Sequence, residues 1–316
     1  MYKDIIKGEK EAQFLLTKRI RAELPGSFDL HNALLAKEPG EKVHDPSLLD
    51  LKIALSEKIF THCTLCERKC KVNRKRESGF CQVRSPLIST AFPHHGEEKP
   101  LVPSGTIFFS GCNAKCIFCQ NWDISQQLNG KEWSVKKTAE WITQNRKNNR
   151  IINANFVGGE PTPNLVYILK LLRELDLNIP IIWNSNFYMS KKTMKLLDGV
   201  IDLYLSDFKY GIDKRAVKYS HLPNYWATVT RNHRLAYEQC EMIIRILVLP
   251  GKWIEEDLPK ILTFIEKELP NARVNLMGQY RPEWRADEYP ELSRRLTRDE
   301  WEKACNIYSA YDLRKM

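Results

Sequence analysis

The chain has 316 residues, 49 Lys and Arg against 39 Asp and Glu for a formal charge of +10, 43% hydrophobic residues and nine cysteines. The apolar fraction suffices for one large domain, or one domain with a sizeable appendage, which excludes both a disordered chain and a disulfide-stapled miniprotein. No run reaches the roughly eighteen consecutive apolar residues of a membrane span, and Met1-Tyr2-Lys3-Asp4 opens no secretory segment, so a cytoplasmic protein is expected.

In a reducing compartment, cysteines are expected as thiols or metal ligands rather than disulfides. Seven of the nine fall between residues 63 and 119 in two tight groups, and Cys240 and Cys305 stand alone. The clustering points to metal.

Residues 1–60 read as a helical, charged, wrapping extension. A helix is predicted from Asp45 as N-cap, with Pro46 at its first position and apolar Leu48, Leu49, Leu51, Ile53 and Leu55 following. Residues 61–100 form a cysteine-rich segment, short in apolar residues, that would fold best around a bound ion. Cys63, Cys66, Cys70 and Cys81 supply the four ligands of a closed site, either a structural zinc or an auxiliary iron–sulfur cluster. Neighbouring Arg68, Lys69, Lys71, Arg74, Lys75 and Arg76 would offset its negative charge.

From a boundary near residue 100, strand-like runs alternate with helical patterns. Strands are expected at 106–109, 153–157, 180–183, 201–205, 242–249 and 272–277, with helices near 135–146, 164–175, 191–197, 231–239, 255–268 and 298–311. Ser134 and Ser190 suit N-caps, and Thr297 with Glu300 makes a capping box. Such an array is an α/β parallel sheet, either doubly wound or closing toward a barrel. Only six βα units fit between residues 104 and 316, so a partial (β/α)6 TIM-like barrel is expected. Either architecture puts its chemistry just after the C-terminal ends of the strands. Gly111-Cys112, Gly158-Gly159-Glu160-Pro161, Asn184-Ser185-Asn186 and Asp207-Phe208-Lys209 follow successive strands.

The strongest motif is the C-x3-C-x2-C triplet Cys112, Cys116, Cys119, directly after the first of these strands. Three thiolates on one loop hold three corners of a four-iron cubane and leave the fourth iron open to a small chelating molecule. A structural zinc normally closes with four ligands, which this triplet lacks by itself. Gly158-Gly159 alone would equally make a tight turn, and Asp207 with Lys209 a surface pair; their occurrence at successive strand ends changes that reading. Arg245 interrupts an apolar strand, where an unpaired charge is costly, so an anionic partner is expected. Cys240 and Cys305 read as small hydrophobes.

The triplet, with aromatic Phe118 before its third cysteine, resembles the cluster motif of the radical S-adenosylmethionine (SAM) superfamily. Gly158-Gly159-Glu160-Pro161 resembles that superfamily's GGE motif. Asp207-Phe208-Lys209 and the segment from Arg245 to Gly251 are similar to motifs of glycyl-radical activating enzymes. Gly96-Glu97-Glu98-Lys99-Pro100-Leu101 and Gln279-Tyr280-Arg281-Pro282 look like those of a pyruvate formate-lyase activating-enzyme-like group. The resemblance covers roughly residues 63 to 284.

It implies a radical SAM barrel over residues 101–316, a [4Fe–4S] cluster on Cys112, Cys116 and Cys119, and SAM cleaved reductively for hydrogen abstraction. It makes the chain an oxidoreductase of the activating-enzyme type, supplied by an external electron donor such as flavodoxin or ferredoxin. By chemical type, Glu160 suits the methionyl ammonium and Arg245 its carboxylate. Asn184, Ser185 and Asn186 would bond the nucleoside or carboxylate, and Asp207 and Lys209 would orient the same ligand. His94 and His95, just ahead of the Glu97-Glu98 pair, read first as loop or core residues and second as candidates to face the site.

A protein or peptide substrate follows from the resemblance. The +10 charge and basic, aromatic-containing segments such as 209–234 motivate RNA or another anionic substrate instead. A non-catalytic iron–sulfur carrier would need none of the positions beyond the cysteines. The extra N-terminal cysteines and the segment after Pro282 depart from the activating enzymes, so installation of a glycyl radical does not follow.

Overall fold

The computed structural model describes residues 1–316. Four helices fill the first sixty residues: α1 Tyr2–Ile6, α2 Gln13–Lys18, α3 Phe28–Leu35 and α4 Leu48–Phe60. Helix α4 starts later than expected. Its N-cap is Ser47, whose side chain and that of Asp50 form a reciprocal capping box, whereas the Pro46 carbonyl accepts the Ala22 N–H.

The rest of the chain builds one nine-stranded sheet. In chain order its elements are β1 Leu87–His94, β2 Ser104–Phe109, α5 Trp122–Ser125, β3 Lys131–Glu132, α6 Val135–Lys147, β4 Asn153–Gly158, α7 Leu165–Glu174, β5 Ile181–Ser185, α8 Lys191–Leu197, β6 Leu203–Asp207, α9 Asp213–Ser220, α10 Tyr225–Gln239, β7 Glu241–Leu247, α11 Trp253–Glu256, α12 Leu258–Glu268, β8 Arg273–Met277, α13 Arg298–Ser309 and β9 Arg314–Lys315. The strand order is β3-β1-β2-β4-β5-β6-β7-β8-β9. From β2 to β9 every pairing is parallel, whereas β1 and β3 are antiparallel additions at one edge. The six strands read from the sequence are the parallel series β2, β4, β5, β6, β7 and β8. The boundary expected near residue 100 falls between β1 and β2, two strands of this same sheet.

Ser134, Ser190 and Thr297 cap α6, α8 and α13 as expected. The helix expected over 255–268 is interrupted at Asp257, whose carboxylate turns away to accept the N–H groups of Gly211 and Ile212.

The two faces of the sheet carry separate cores, which is what positions the site. The larger packs helices such as α7 and α12 against one face. On the other, Ile182, Leu203, Leu205 and Ile243 form a small cluster closed by Tyr2 of α1 and by Leu101. The Tyr2 hydroxyl accepts from Asn153 Nδ2 at 2.8 Å, pinning α1 beneath the strands. Side chains two residues further along the same strands share that face. Above Ile182, Leu205 and Ile243 therefore stand Asn184, Asp207 and Arg245. An apolar floor supports a polar layer at the strands' C-terminal ends.

No helix is long and apolar enough to cross a membrane.

Candidate active site

Cys112, Cys116, Phe118, Cys119, Gly158, Gly159, Glu160, Asn184, Ser185, Asn186, Asp207, Lys209 and Arg245 all line one cavity of about 270 Å³. Residues up to 133 positions apart in sequence are gathered here by strand order. Gln120, Asn121, Gln126 and Gln279 also line it, as do apolar Val157, Leu247 and Met277.

The cysteine loop begins where Gly111 turns at φ +85° after β2. A Cβ on Gly159 would stand 2.3 Å from the Gly111 carbonyl oxygen, so the β2 and β4 loops approach as only glycine permits. The loop is then pinned by its backbone. The N–H groups of Lys115 and Ile117 donate to the carbonyls of Ser220 and Tyr219, and Arg285 N–H donates to the Ile117 carbonyl.

Each thiol also has a polar neighbour. Ser220 Oγ donates to Cys116 Sγ at 3.0 Å, Ser125 Oγ lies 3.1 Å from Cys119 Sγ, and Ala114 N–H donates to Cys112 Sγ at 3.3 Å. Burial pushes Cys116 up to about 11 against the pull of Lys209, and raises Cys112 well above its ordinary value. Metal binding would displace the protons of Cys112 and Cys116.

Glu160 is 1% exposed, and burial raises its pKa. Its Oε1 accepts from the Thr162 hydroxyl at 2.5 Å, Ser185 Oγ at 2.7 Å and Thr162 N–H at 3.2 Å; Oε2 accepts from Asn186 N–H at 3.0 Å. Of about four lone-pair positions on a carboxylate, one on Oε2 stays open to the cavity's occupant.

Arg245 is held from three sides. Its Nε donates to Asp207 Oδ1 at 2.9 Å, Nη2 to Asn184 Oδ1 at 2.6 Å, and Nη1 to Glu97 Oε2 at 3.4 Å. The anionic partner expected for this arginine is supplied by the protein. Lys209 Nζ donates to the other Asp207 oxygen at 2.9 Å. Burial opposes ionisation of Asp207, but the Arg245 and Lys209 charges overcome it and hold the carboxyl at about 2.

Sequence reasoning missed Ser125 and Ser220, which face two of the thiols from outside every motif. It quoted Glu97 only as part of a motif, without its contact to Arg245. His94 and His95 do not line the cavity; His94 lies beside Glu97, with Nδ1 3.5 Å from Oε1.

The donor set fits a four-iron cluster better than a single ion. No three His, Cys, Asp or Glu side chains are gathered to hold one metal ion. Instead three thiols border an open cavity whose other walls carry both charge signs.

The family model of the radical SAM superfamily matches residues 106–265, half of the chain. The chain belongs to the radical SAM superfamily. An uncharacterised protein of Methanocaldococcus jannaschii, MJ0674, is 44% identical over 332 aligned positions, covering 99% of this chain and 97% of its own. Among solved structures, Streptococcus suis SuiB bound to S-adenosylmethionine is 15% identical, covering 65% of this chain and 47% of that one at a TM-score of 0.47. This chain thus spans about half the length of SuiB. Methylornithine synthase, PylB, is 14% identical, covering 97% of this chain and 76% of that one at a TM-score of 0.46. Membership of the superfamily implies a [4Fe–4S] cluster and SAM as cofactors and makes the protein a radical SAM enzyme.

Proposed function

We propose that the enzyme abstracts hydrogen from a protein or peptide, in the manner of the glycyl-radical activating enzymes to whose motifs its own are similar. The cluster and SAM, when bound, supply reductive cleavage of the sulfonium to methionine and a 5'-deoxyadenosyl radical.

The chain's own residues bind and orient. Cys112, Cys116 and Cys119 would ligate three irons. The open position on Glu160 would accept the methionyl ammonium. Arg245, fixed by Asp207, Asn184 and Glu97, has one Nη1 donor left for the carboxylate. Asn184, Ser185 and Asn186 would bond the rest of the ligand, and Lys209 would stand beside Cys116. Phe118 and the floor below Leu205 would keep water from the reacting centre. Residues 1–60 would brace this barrel of residues 101–316, with residues 61–100 packed beside the cluster loop. The reductant would be a low-potential one-electron protein such as flavodoxin or ferredoxin.

What favours a peptide over a nucleic acid is the cavity's lining. Its mouth carries the amides Gln120, Asn121, Gln126 and Gln279, and its only cationic side chains, Lys209 and Arg245, are tied to Asp207. Amides pair with peptide N–H and C=O groups, whereas a phosphate backbone calls for unpaired Lys and Arg. The +10 charge therefore lies elsewhere on the surface.

The test is anaerobic reconstitution, dithionite reduction with SAM, and assay of 5'-deoxyadenosine in wild type and in the Cys112→Ala, Cys116→Ala, Cys119→Ala triple variant. Product in wild type alone is expected, stimulated by a protein or peptide fraction of the cell extract. Stimulation that survives protease but not ribonuclease would overturn the peptide reading.

A further inference from the structure

Cys63, Cys66, Cys70 and Cys81 line a second, enclosed cavity with room for a water-sized sphere, about 10 Å³. The chain around it holds neither helix nor regular strand, and it turns through left-handed backbone at Lys69, Lys71 and Gln82, each next to a cysteine. Those turns aim the thiols inward. Phe80 N–H donates to Cys70 Sγ at 3.4 Å.

Two arginines line the same cavity. Arg74 is 1% exposed; its Nη1 donates to Cys63 Sγ at 3.7 Å, its Nη2 to the Pro163 carbonyl at 3.4 Å, and its Nε has no partner. Arg68 donates through Nε to the Asn113 carbonyl at 2.9 Å and lies over the Phe80 ring at 3.7 Å, while its buried Nη2 has no partner. None of these partners is a carboxylate. A buried guanidinium without an anion is costly, and four neutral thiols supply no charge. Metal-bound thiolates do.

Spacing separates the metals. Thiolates on one zinc stand about 2.3 Å from its centre, nearer than van der Waals contact with a water-sized sphere permits. Zinc-spaced sulfurs would leave no such room, and no three ligand side chains are gathered around a single-ion position. A space bordered by all four cysteines suits the four thiolate ligands of an iron–sulfur cubane.

We propose that Cys63, Cys66, Cys70 and Cys81 hold a second four-iron cluster with every iron ligated by protein. Lacking an open iron, it does not bind SAM. It shares a wall with the first site: a Cβ on Gly111 would stand 2.8 Å from the Cys81 carbonyl oxygen, and Arg68 reaches from the second cavity to Asn113 of the cluster loop.

Because the triple variant at Cys112, Cys116 and Cys119 removes the first cluster, it tests the second whether or not SAM cleavage is found. After anaerobic reconstitution it should carry about four irons and four sulfides per chain, with an electron paramagnetic resonance signal on reduction that SAM does not shift. Native wild type purified anaerobically should carry about eight irons, a count that needs no substitution, and Cys63→Ala with Cys70→Ala should lower it to about four. A triple variant with one zinc and no sulfide, or a native chain holding only four irons, would overturn the assignment.

Discussion

Asp207 grips Arg245 and Lys209 with opposite oxygens of one carboxylate, each bond 2.9 Å long. The three charges stand at the C-terminal ends of adjacent strands β6 and β7, so strand register sets their geometry. Asp207→Asn should leave Lys209 without its carboxylate and Arg245 held only by Asn184 and Glu97. We expect SAM affinity to fall about tenfold or more and stability to fall by about 1–3 kcal/mol, a range discounted for partial exposure. Calorimetric titration of SAM and chemical denaturation check these separately. The Asp207 carboxyl sits at about 2 when folded, below its unfolded value. Its contribution is therefore fully present above about pH 4 and fades only as pH falls toward 2, so the wild-type to variant difference should stay flat from pH 6 to 9.

Gly159 reports on the cluster loop from a different strand. Its φ is not left-handed, so Ala suits the backbone, but the added methyl would press on the Gly111 carbonyl at 2.3 Å. Gly159→Ala should therefore displace Cys112 while the sheet survives, losing most iron from the first site at a stability cost of about 1–3 kcal/mol. Iron per chain and thermal unfolding measure the two effects; full iron occupancy would show that the β2 loop moves aside freely.

The site was legible because the parallel sheet converts sequence order into spatial order. Glycine, cysteine and polar residues after successive strands had to converge once the strands paired in parallel, and thirteen named residues share one cavity. The antiparallel strand β1 was not legible. Pro93 interrupts it, and its mixed burial gives no clean alternation. Helix α9 was hidden by a polar sequence with three buried positions, although its end supplies Ser220 to Cys116. Arg245 shows where residue chemistry alone falls short. It announced a need for an anion, but only the fold reveals that Asp207 and Glu97 meet it.

Gln279 sits at the cavity mouth, exposed, with its carbonyl accepting from Gln120 Nε2 at 3.4 Å. Its side chain touches none of the charged groups above. Gln279→Ala should leave SAM affinity and substrate-free cleavage within about twofold of wild type. It should raise the KM for a peptide substrate by about fivefold, equivalent to one neutral hydrogen bond of about 1 kcal/mol. Equal losses with and without peptide would assign Gln279 to SAM instead.

Lys52 ties the N-terminal helices to the barrel and carries a pH signature. It is 0% exposed on α4, donating to His31 Nε2 of α3 at 2.8 Å and to the Asp198 carbonyl after α8 at 2.7 Å. Burial lowers its pKa from 10.5 to about 7, with Asp198 opposing. Between those values the unfolded chain holds a proton that the folded chain has released, so this group's contribution to stability rises with pH. It is full above about pH 10.5 and is lost as pH falls to about 7, with a slope of at most about 1.4 kcal/mol per unit. Lys52→Met removes the titrating group, and the difference in unfolding free energy between wild type and variant should change along this slope from pH 7 to 9.5. A difference that stays constant across the window would mean that Lys52 keeps its proton in the folded chain and that its two acceptors stabilise the ammonium outright.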